Sequence, residues 1–378
     1  MKELTQEIKM VDLYGQYDRI KDEIDEAING VIKKTSFING PDVKEFSNEL
    51  AEYIGVKHVI PCGNGTDALQ LALMALGLKE GDKVITPSFT YVATAEVIAI
   101  LGLKPVFVDI NPETFNIDIS SIKNNIDEKT KAIIPVHLFG QCANMEEILK
   151  VAKEHNIKVI EDAAQALGTE YIYENGTKKK TGNIGDIGCT SFFPSKNLGC
   201  FGDGGAVFTN NDEYANIIKC KAEHGQTKKY QFDMIGMNSR LDTIQAAVLR
   251  VKLKYLNDSI YKRKEVAAYY DKNLNETGLQ LPSRTDHSTH TFNQYTIRVC
   301  NDQRDNLREF LSEKGIPSVV YYPIPLHLQK AYTFCGYKKG DLLNSESACN
   351  EVMSLPLHTE MNKNQQDYII NCINNFFN

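Results

Sequence analysis

Between residues 58 and 209 the chain alternates short apolar runs with stretches of helical periodicity, and this alternation restricts the fold more than any other feature. The runs are His58 to Cys62, Lys83 to Pro87, Pro105 to Ile110, Ala132 to His137, Val159 to Ala163, Cys189 to Phe193 and Ala206 to Thr209. Helical stretches separate the first five: Thr66 to Leu76, Thr90 to Leu101, Ile119 to Ile126 and Met145 to His155. Strands joined by helices of this length are linked by crossovers, so the reading is a largely parallel, seven-stranded sheet with helices on both faces. Ligands of such sheets bind at the carboxyl ends of the strands. Upstream, a short extended lead precedes a helix carrying Ile20, Ile24, Ile28 and Val31, and a second helix opens after Asn39-Gly40-Pro41. Downstream, Leu241 to about Tyr261 reads as one long helix. A smaller α+β unit follows, with strands at Thr291 to Val299 and Ser318 to Tyr322 and helices near Asn306 to Lys314, Ser345 to Met353 and Gln365 to Phe377. Two domains are expected, 1–250 and 251–378, since 378 residues exceed one ordinary core.

Charge and cysteine usage exclude several functions. A net charge of −7 argues against a nucleic-acid partner, which needs a basic footprint. The nine cysteines include no C-x-x-C pair, which reads as reduced, cytoplasmic usage rather than a disulfide framework or zinc site; no metal is expected. No apolar run approaches the roughly 20 residues of a membrane helix, and the N-terminus shows no signal-peptide core. The basic run Lys178 to Lys180 reads as the tip of a solvated hairpin.

Three strand ends carry residues suited to chemistry. Lys196 follows the sixth run, in a stretch where Gly199, Gly202, Gly204 and Gly205 permit close approach to a ligand. A solvated surface lysine is the alternative. Asp162 ends the fifth run, where a carboxylate either meets a cationic partner or caps the next helix. Gly63-Asn64-Gly65-Thr66 joins the first run to the first helix, and its free amides and hydroxyl form an anion site, or else Thr66 or Asp67 caps the helix. Nucleotide motifs fail on context: the Walker pattern is absent and the Gly199 to Gly205 stretch leads into a strand. A lysine, a carboxylate and an anion site together match the aldehyde, pyridinium and phosphate of pyridoxal 5'-phosphate. Phe89, just past the second strand, either stacks on such a ring or belongs to the core.

The motifs GNGTDALQLAL, PSFTYVATAE, PVHLFGQCANM, VIEDAAQALG, SFFPSKNLGCFGDGGAVFTN, HGQ, MNSRLDTIQAA and YYPIPLHLQ occur in this order along the chain. In this the whole chain resembles the sugar-nucleotide aminotransferases of the DegT/DnrJ/EryC1/StrS family. These are fold type I pyridoxal phosphate enzymes, similar to aspartate aminotransferase, with a smaller C-terminal α+β domain. The resemblance implies Lys196 as the lysine that bonds the cofactor aldehyde, Asp162 at the pyridine nitrogen, Gln165 near the ring hydroxyl and Phe89 on the ring face. It implies Gly65, Thr66 and Ser191 around the phosphate, with Asn238 completing that site from the partner subunit of an obligate homodimer. Arg240, Tyr321 and Tyr322 are expected near the substrate; His224 is either ligand-facing or a loop histidine.

Within the family the motifs look most like enzymes that move an amine from L-glutamate to carbon 3 of a UDP-linked 2-acetamido-3-keto-hexuluronate, for surface polysaccharide. The alternative is a dTDP-linked 3-keto-6-deoxyhexose; a regulatory, non-enzymatic member is remoter. The chain departs from the uronate enzymes at Tyr321, where they carry histidine, a better partner for a sugar carboxylate.

Overall fold

A computed structural model describes residues 7–274 and 277–377. The first six residues of the extended lead lie outside it. Three helices open the described chain: α1 (Leu13–Arg19), α2 (Lys21–Lys34) and α3 (Pro41–Ile54). Pro41 is tolerated in the first turn of α3 because the amide it lacks would have had no helical partner, and Gly55 ends that helix in the left-handed conformation.

The alternation then unfolds as read from the sequence: β1 (His58–Cys62), α4 (Gly65–Ala75), β2 (Lys83–Pro87), α5 (Ala93–Ile100), β3 (Lys104–Val108), α6 (Ile119–Asn124), β4 (Thr130–Ile133), α7 (Met145–Glu154), β5 (Lys158–Asp162), β6 (Ile187–Ser191) and β7 (Gly205–Thr209). These strands form one seven-stranded sheet in the order β1-β7-β6-β5-β4-β2-β3. Only β7 runs against its neighbours, pairing antiparallel with β1 and β6, while β6-β5-β4-β2-β3 are parallel. Side chains alternate across a strand, so each strand buries apolar residues on both faces. On one face Ile60, Val84, Ala132, Ile160 and Val207 pack with α4, α5 and α8 (Asp212–Ala222). On the other, β2, β3, β4 and β5 pack with α7, while β7 packs with α3 and α9 (Thr243–Lys254). Among the described residues no helix is long and apolar enough to cross a membrane.

The single long helix expected from Leu241 to Tyr261 is two: α9 stops at Lys254, and α10 runs over Leu256–Leu274. At the break the Tyr255 amide turns back to the carbonyls of Leu253 and Lys252, and the Tyr255 hydroxyl bonds Glu23 on α2, a pull toward a neighbour that α9's own pattern does not encode. Beyond it lie β8 (Tyr295–Arg298), α11 (Arg304–Glu313), α12 (Leu343–Glu351), β9 (Val352–Leu355) and α13 (Lys363–Phe377). The strand expected from Thr291 is shorter because Phe292 takes a positive φ of 49°. Ser318 to Tyr322 is not a strand; only Val319 bridges Ser354. Met353, expected at a helix end, pairs with Ile297 in the β8-β9 ladder. Lys178–Lys180 is the return strand of a hairpin with Glu170–Ile172 rather than its tip. α10, α11, α13 and the β8-β9 pair share an apolar core of their own, including Tyr270, Tyr295, Leu307 and Ile369.

Candidate active site

The carboxyl ends of β1, β2, β5 and β6 converge on one side of the sheet, and the residues singled out in the sequence stand there. Asp162 closes β5 and is 6% exposed. Its Oδ2 accepts from Thr94 Oγ1 at 2.8 Å and its Oδ1 from the Ala164 amide at 3.1 Å. The carboxylate therefore spans a turn and does not cap a helix. Thr94, fully buried in the first turn of α5, was not singled out from the sequence. It lies in a largely apolar helix, where nothing in the local pattern distinguishes it.

Lys196 sits in the loop after β6, its amide turned back to the Phe193 carbonyl at 2.8 Å. Burial depresses its ammonium to about 8, and the only opposing influence is the charge of Asp162. The lysine and the aspartate thus act on each other electrostatically, and Lys196 is half-buried rather than a freely solvated surface lysine.

The loop glycines have a different use from the one expected. A Cβ on Gly199 would stand 2.3 Å from the Pro194 carbonyl oxygen, and one on Gly205 would stand 2.4 Å from the Asn64 carbonyl. They let the loop fold on itself and press against the turn after β1. In the same contact a Cβ on Gly65 would lie 2.7 Å from Ser191 Cβ, which brings Gly65, Thr66 and Ser191 together at the N-terminus of α4. Asn64, not Thr66 or Asp67, caps that helix, accepting the Asp67 amide at 2.8 Å. Asp67 instead accepts from Ser239 Oγ at 2.6 Å, and Ser239 accepts the Gly63 amide at 2.9 Å. Ser239, buried and unforeseen, pins the segment holding Asn238 and Arg240 beside the turn. Asn238 itself bridges Glu223 through its backbone. Arg240 makes no ion pair among the described residues. His224 is exposed, with a φ of 62°, on the loop leading to the hairpin 226–232.

Aromatic rings close the other side. Phe89 is fully buried, with the rings of Phe115, Tyr322 and Phe139 at 5.8, 6.0 and 6.3 Å. Gln165 accepts the Phe139 amide at 2.8 Å and donates to the Tyr322 hydroxyl at 3.1 Å. Burial raises the phenols of Tyr321 and Tyr322, so both are neutral donors at physiological pH. A long-range clasp fixes the loop bearing Phe89: Leu326 donates its amide to the Ser88 carbonyl, Ser88 Oγ lies 2.7 Å from His327 Nδ1, and His327 Nε2 lies 3.2 Å from Glu346 Oε1.

These residues fit pyridoxal phosphate. The fit rests on a desolvated lysine within the field of a carboxylate, a helix N-terminus whose glycine contact leaves no room for a side chain, and a buried ring beside a glutamine and a phenol.

A model of the DegT/DnrJ/EryC1/StrS aminotransferase family matches residues 18–374. The chain is 47% identical over 351 residues to the UDP-2-acetamido-2-deoxy-3-oxo-D-glucuronate aminotransferase of Pseudomonas aeruginosa, covering 93% of this chain and 95% of that protein. It is also 47% identical over 373 residues to the pleiotropic regulatory protein of Geobacillus stearothermophilus, covering 98% of each. The crystal structure of a DegT DnrJ EryC1 StrS aminotransferase from Brucella abortus superposes with a TM-score of 0.92 at 42% identity, covering 98% of this chain and 99% of that one.

Proposed function

The chain belongs to the DegT/DnrJ/EryC1/StrS aminotransferase family, whose aminotransferases use pyridoxal phosphate, and on that premise we propose that it moves an amino group from L-glutamate to carbon 3 of UDP-2-acetamido-2-deoxy-3-keto-hexuluronate. The observation that carries the chemistry is the depressed Lys196 ammonium within the field of Asp162. The likeness to the Pseudomonas enzyme supports the sugar. The product would supply amino sugars for surface polysaccharide, and the free cysteines suit a reducing cytoplasm.

When bound, the cofactor supplies an aldehyde that takes up the amine and a ring that withdraws electrons. Lys196 holds and moves the proton at Nζ. An ammonium near 8 is about one-tenth neutral at pH 7, roughly 300-fold more than an ordinary lysine. Asp162, held by Thr94 and the Ala164 amide, keeps a carboxylate available to the ring nitrogen. Gly65, Thr66 and Ser191 would hold the phosphate, Gln165 the ring hydroxyl, and Phe89 the ring face. In this reading 1–250 binds the cofactor and 251–378 forms the smaller domain. Asn238 and Arg240 serve the site across a homodimer, toward which the exposed Tyr230, Phe232 and Ile235 of the nearby arm supply apolar surface. Arg240 is then the cation for the sugar carboxylate, with Tyr322 and Tyr321 as neutral hydrogen-bond partners. His224 remains a candidate only from the exposed loop.

Tyr321 favours a second reading, a dTDP-linked 3-keto-6-deoxyhexose, because a phenol raised by burial offers no charge to a carboxylate. The test is to load the enzyme with cofactor, bleach its visible band with glutamate, and then add each keto sugar. Recovery of the band with the UDP-uronate supports the proposal; recovery with the dTDP sugar alone replaces it. Lys196→Ala is expected to lose turnover by about 10⁴-fold or more. A wild-type chain that binds no cofactor is a regulatory member.

A further inference from the structure

Beside the lysine loop, α1, α9 and α10 flank a partly open cavity of about 20 Å³. Arg19, Asn197, Lys252, Ser259, Arg263 and Thr359 line it, together with neutral neighbours and no carboxylate. Of the three cations around this space Arg263 is buried, Lys252 half-buried and Arg19 exposed, and the lining itself carries no acid to pair the buried guanidinium, which a buried charge normally has. Arg263 is 2% exposed, and its Nη1 reaches only the carbonyl oxygens of Phe292 at 3.0 Å and Leu357 at 3.3 Å. Lys252 donates to the Gly199 carbonyl. Arg19 has one acidic neighbour, Glu360, at 3.5 Å outside the lining. Asn197, the residue after Lys196, has both its amide oxygen and nitrogen sealed from solvent and without a partner among the described residues. Without a counter-ion, burial holds Lys252 down to about 8 and Arg263 down to about 10.

We propose that this cavity binds a carboxylate group, held by Arg19, Lys252 and Arg263 with the Asn197 amide as a further donor. The space is partly open, so a planar two-oxygen head can enter it while the rest of the molecule stays outside. The guanidinium fork matches that head. Binding here does not depend on which sugar is aminated. Through Asn197 the bound group would abut the chain on which Lys196 is carried, so occupancy stiffens the lysine loop.

The carboxylate has two possible sources, a free monocarboxylic acid or the amino donor's own product. Acetate and 2-oxoglutarate are therefore titrated separately into the holoenzyme at constant ionic strength, with the thermal midpoint as readout. Acetate is expected to raise the midpoint saturably by about 2 °C or more, and Arg19→Gln to weaken half-saturation about 10-fold. Lys252→Met, which removes a half-buried uncompensated charge, is expected to raise the midpoint without acetate and to abolish the response. A rise that does not saturate, or that is equal in all three proteins, overturns the proposal. So does a response to 2-oxoglutarate alone that survives Arg19→Gln, since that carboxylate is then bound at the catalytic site. Crystals grown in sodium bromide give a direct check: an anomalous peak among Arg19, Lys252 and Arg263 is expected, and a cavity filled by a side chain of a second copy contradicts it.

Discussion

Adjacent on β5, Glu161 and Asp162 point to opposite faces of the sheet and meet opposite fates. Glu161 is fully buried, and four donors saturate it: the amides of Ile184 and Gly185 at 2.7 Å on one oxygen, the Gly182 amide and His137 Nε2 at 2.9 Å on the other. Since His137 Nδ1 accepts the Ala143 amide, the ring's proton lies on Nε2 and points at the carboxylate. Asp162 has only two donors and retains acceptor capacity toward the side where Lys196 stands. A carboxylate with every lone pair engaged braces a structure; one half engaged is free to take a ligand's proton.

That contrast can be broken by substitution. Glu161→Ala leaves three buried amides and an imidazole without an acceptor and is expected to cost about 3–5 kcal/mol in urea unfolding, if the chain folds at all. Asp162→Asn keeps the shape and is expected to leave the urea midpoint nearly unchanged while turnover falls about 10²- to 10³-fold. If Asp162→Asn instead unfolds the protein and Glu161→Ala spares it, the two carboxylates have been assigned to the wrong roles.

The charge of Lys196 sharpens the same comparison through pH. In the cofactor-free protein its folded ammonium lies near 8 and the unfolded one near 10.5. Below pH 8 both states are protonated and the folded state bears the full desolvation cost. Between pH 8 and 10.5 the folded lysine has lost its proton while the unfolded one keeps it, so wild-type stability rises with pH. Lys196→Met is therefore expected to be more stable than wild type by about 2–3 kcal/mol at pH 7, with the gap closing toward pH 10.5 in parallel urea titrations. A gap independent of pH would trace the effect to packing. The smallest effect is expected from Tyr322→Phe, which removes the partner of Gln165 Nε2: a few-fold loss of turnover, about 1 kcal/mol, with cofactor affinity changed in the same direction.

The sheet was legible because strands buried on both faces announce themselves as apolar runs: each of the seven runs overlaps a strand, although the fourth, read as Ala132 to His137, is displaced to Thr130–Ile133, with Val136 beyond it only bridging Asp162. Lys196, Asp162 and the turn at Gly65 were legible for a related reason, since strand ends are where such sheets bind ligands. Thr94 and Ser239 were not, because each acts through a partner far along the chain and neither breaks its local pattern. The small unit was read less well. Phe292 cuts one strand with a positive φ, and Ser318 to Tyr322 lies against Phe89 and Gln165 through side chains rather than joining a ladder. The loop glycines were recognised as necessary, but they relieve contacts within the chain itself.

The clasp from Ser88 to His327 spans 239 residues, and this has a bearing on how the protein is made. At about 5–20 residues per second, roughly 12–48 s separate the appearance of the two partners at the ribosome. The sheet can assemble as residues 58–209 emerge, yet the loop carrying Phe89 waits for His327, and His327 in turn for Glu346. The ring-facing wall is thus the last part of the site to set, and a nascent chain halted before residue 327 holds the lysine and the aspartate without the clasp behind Phe89.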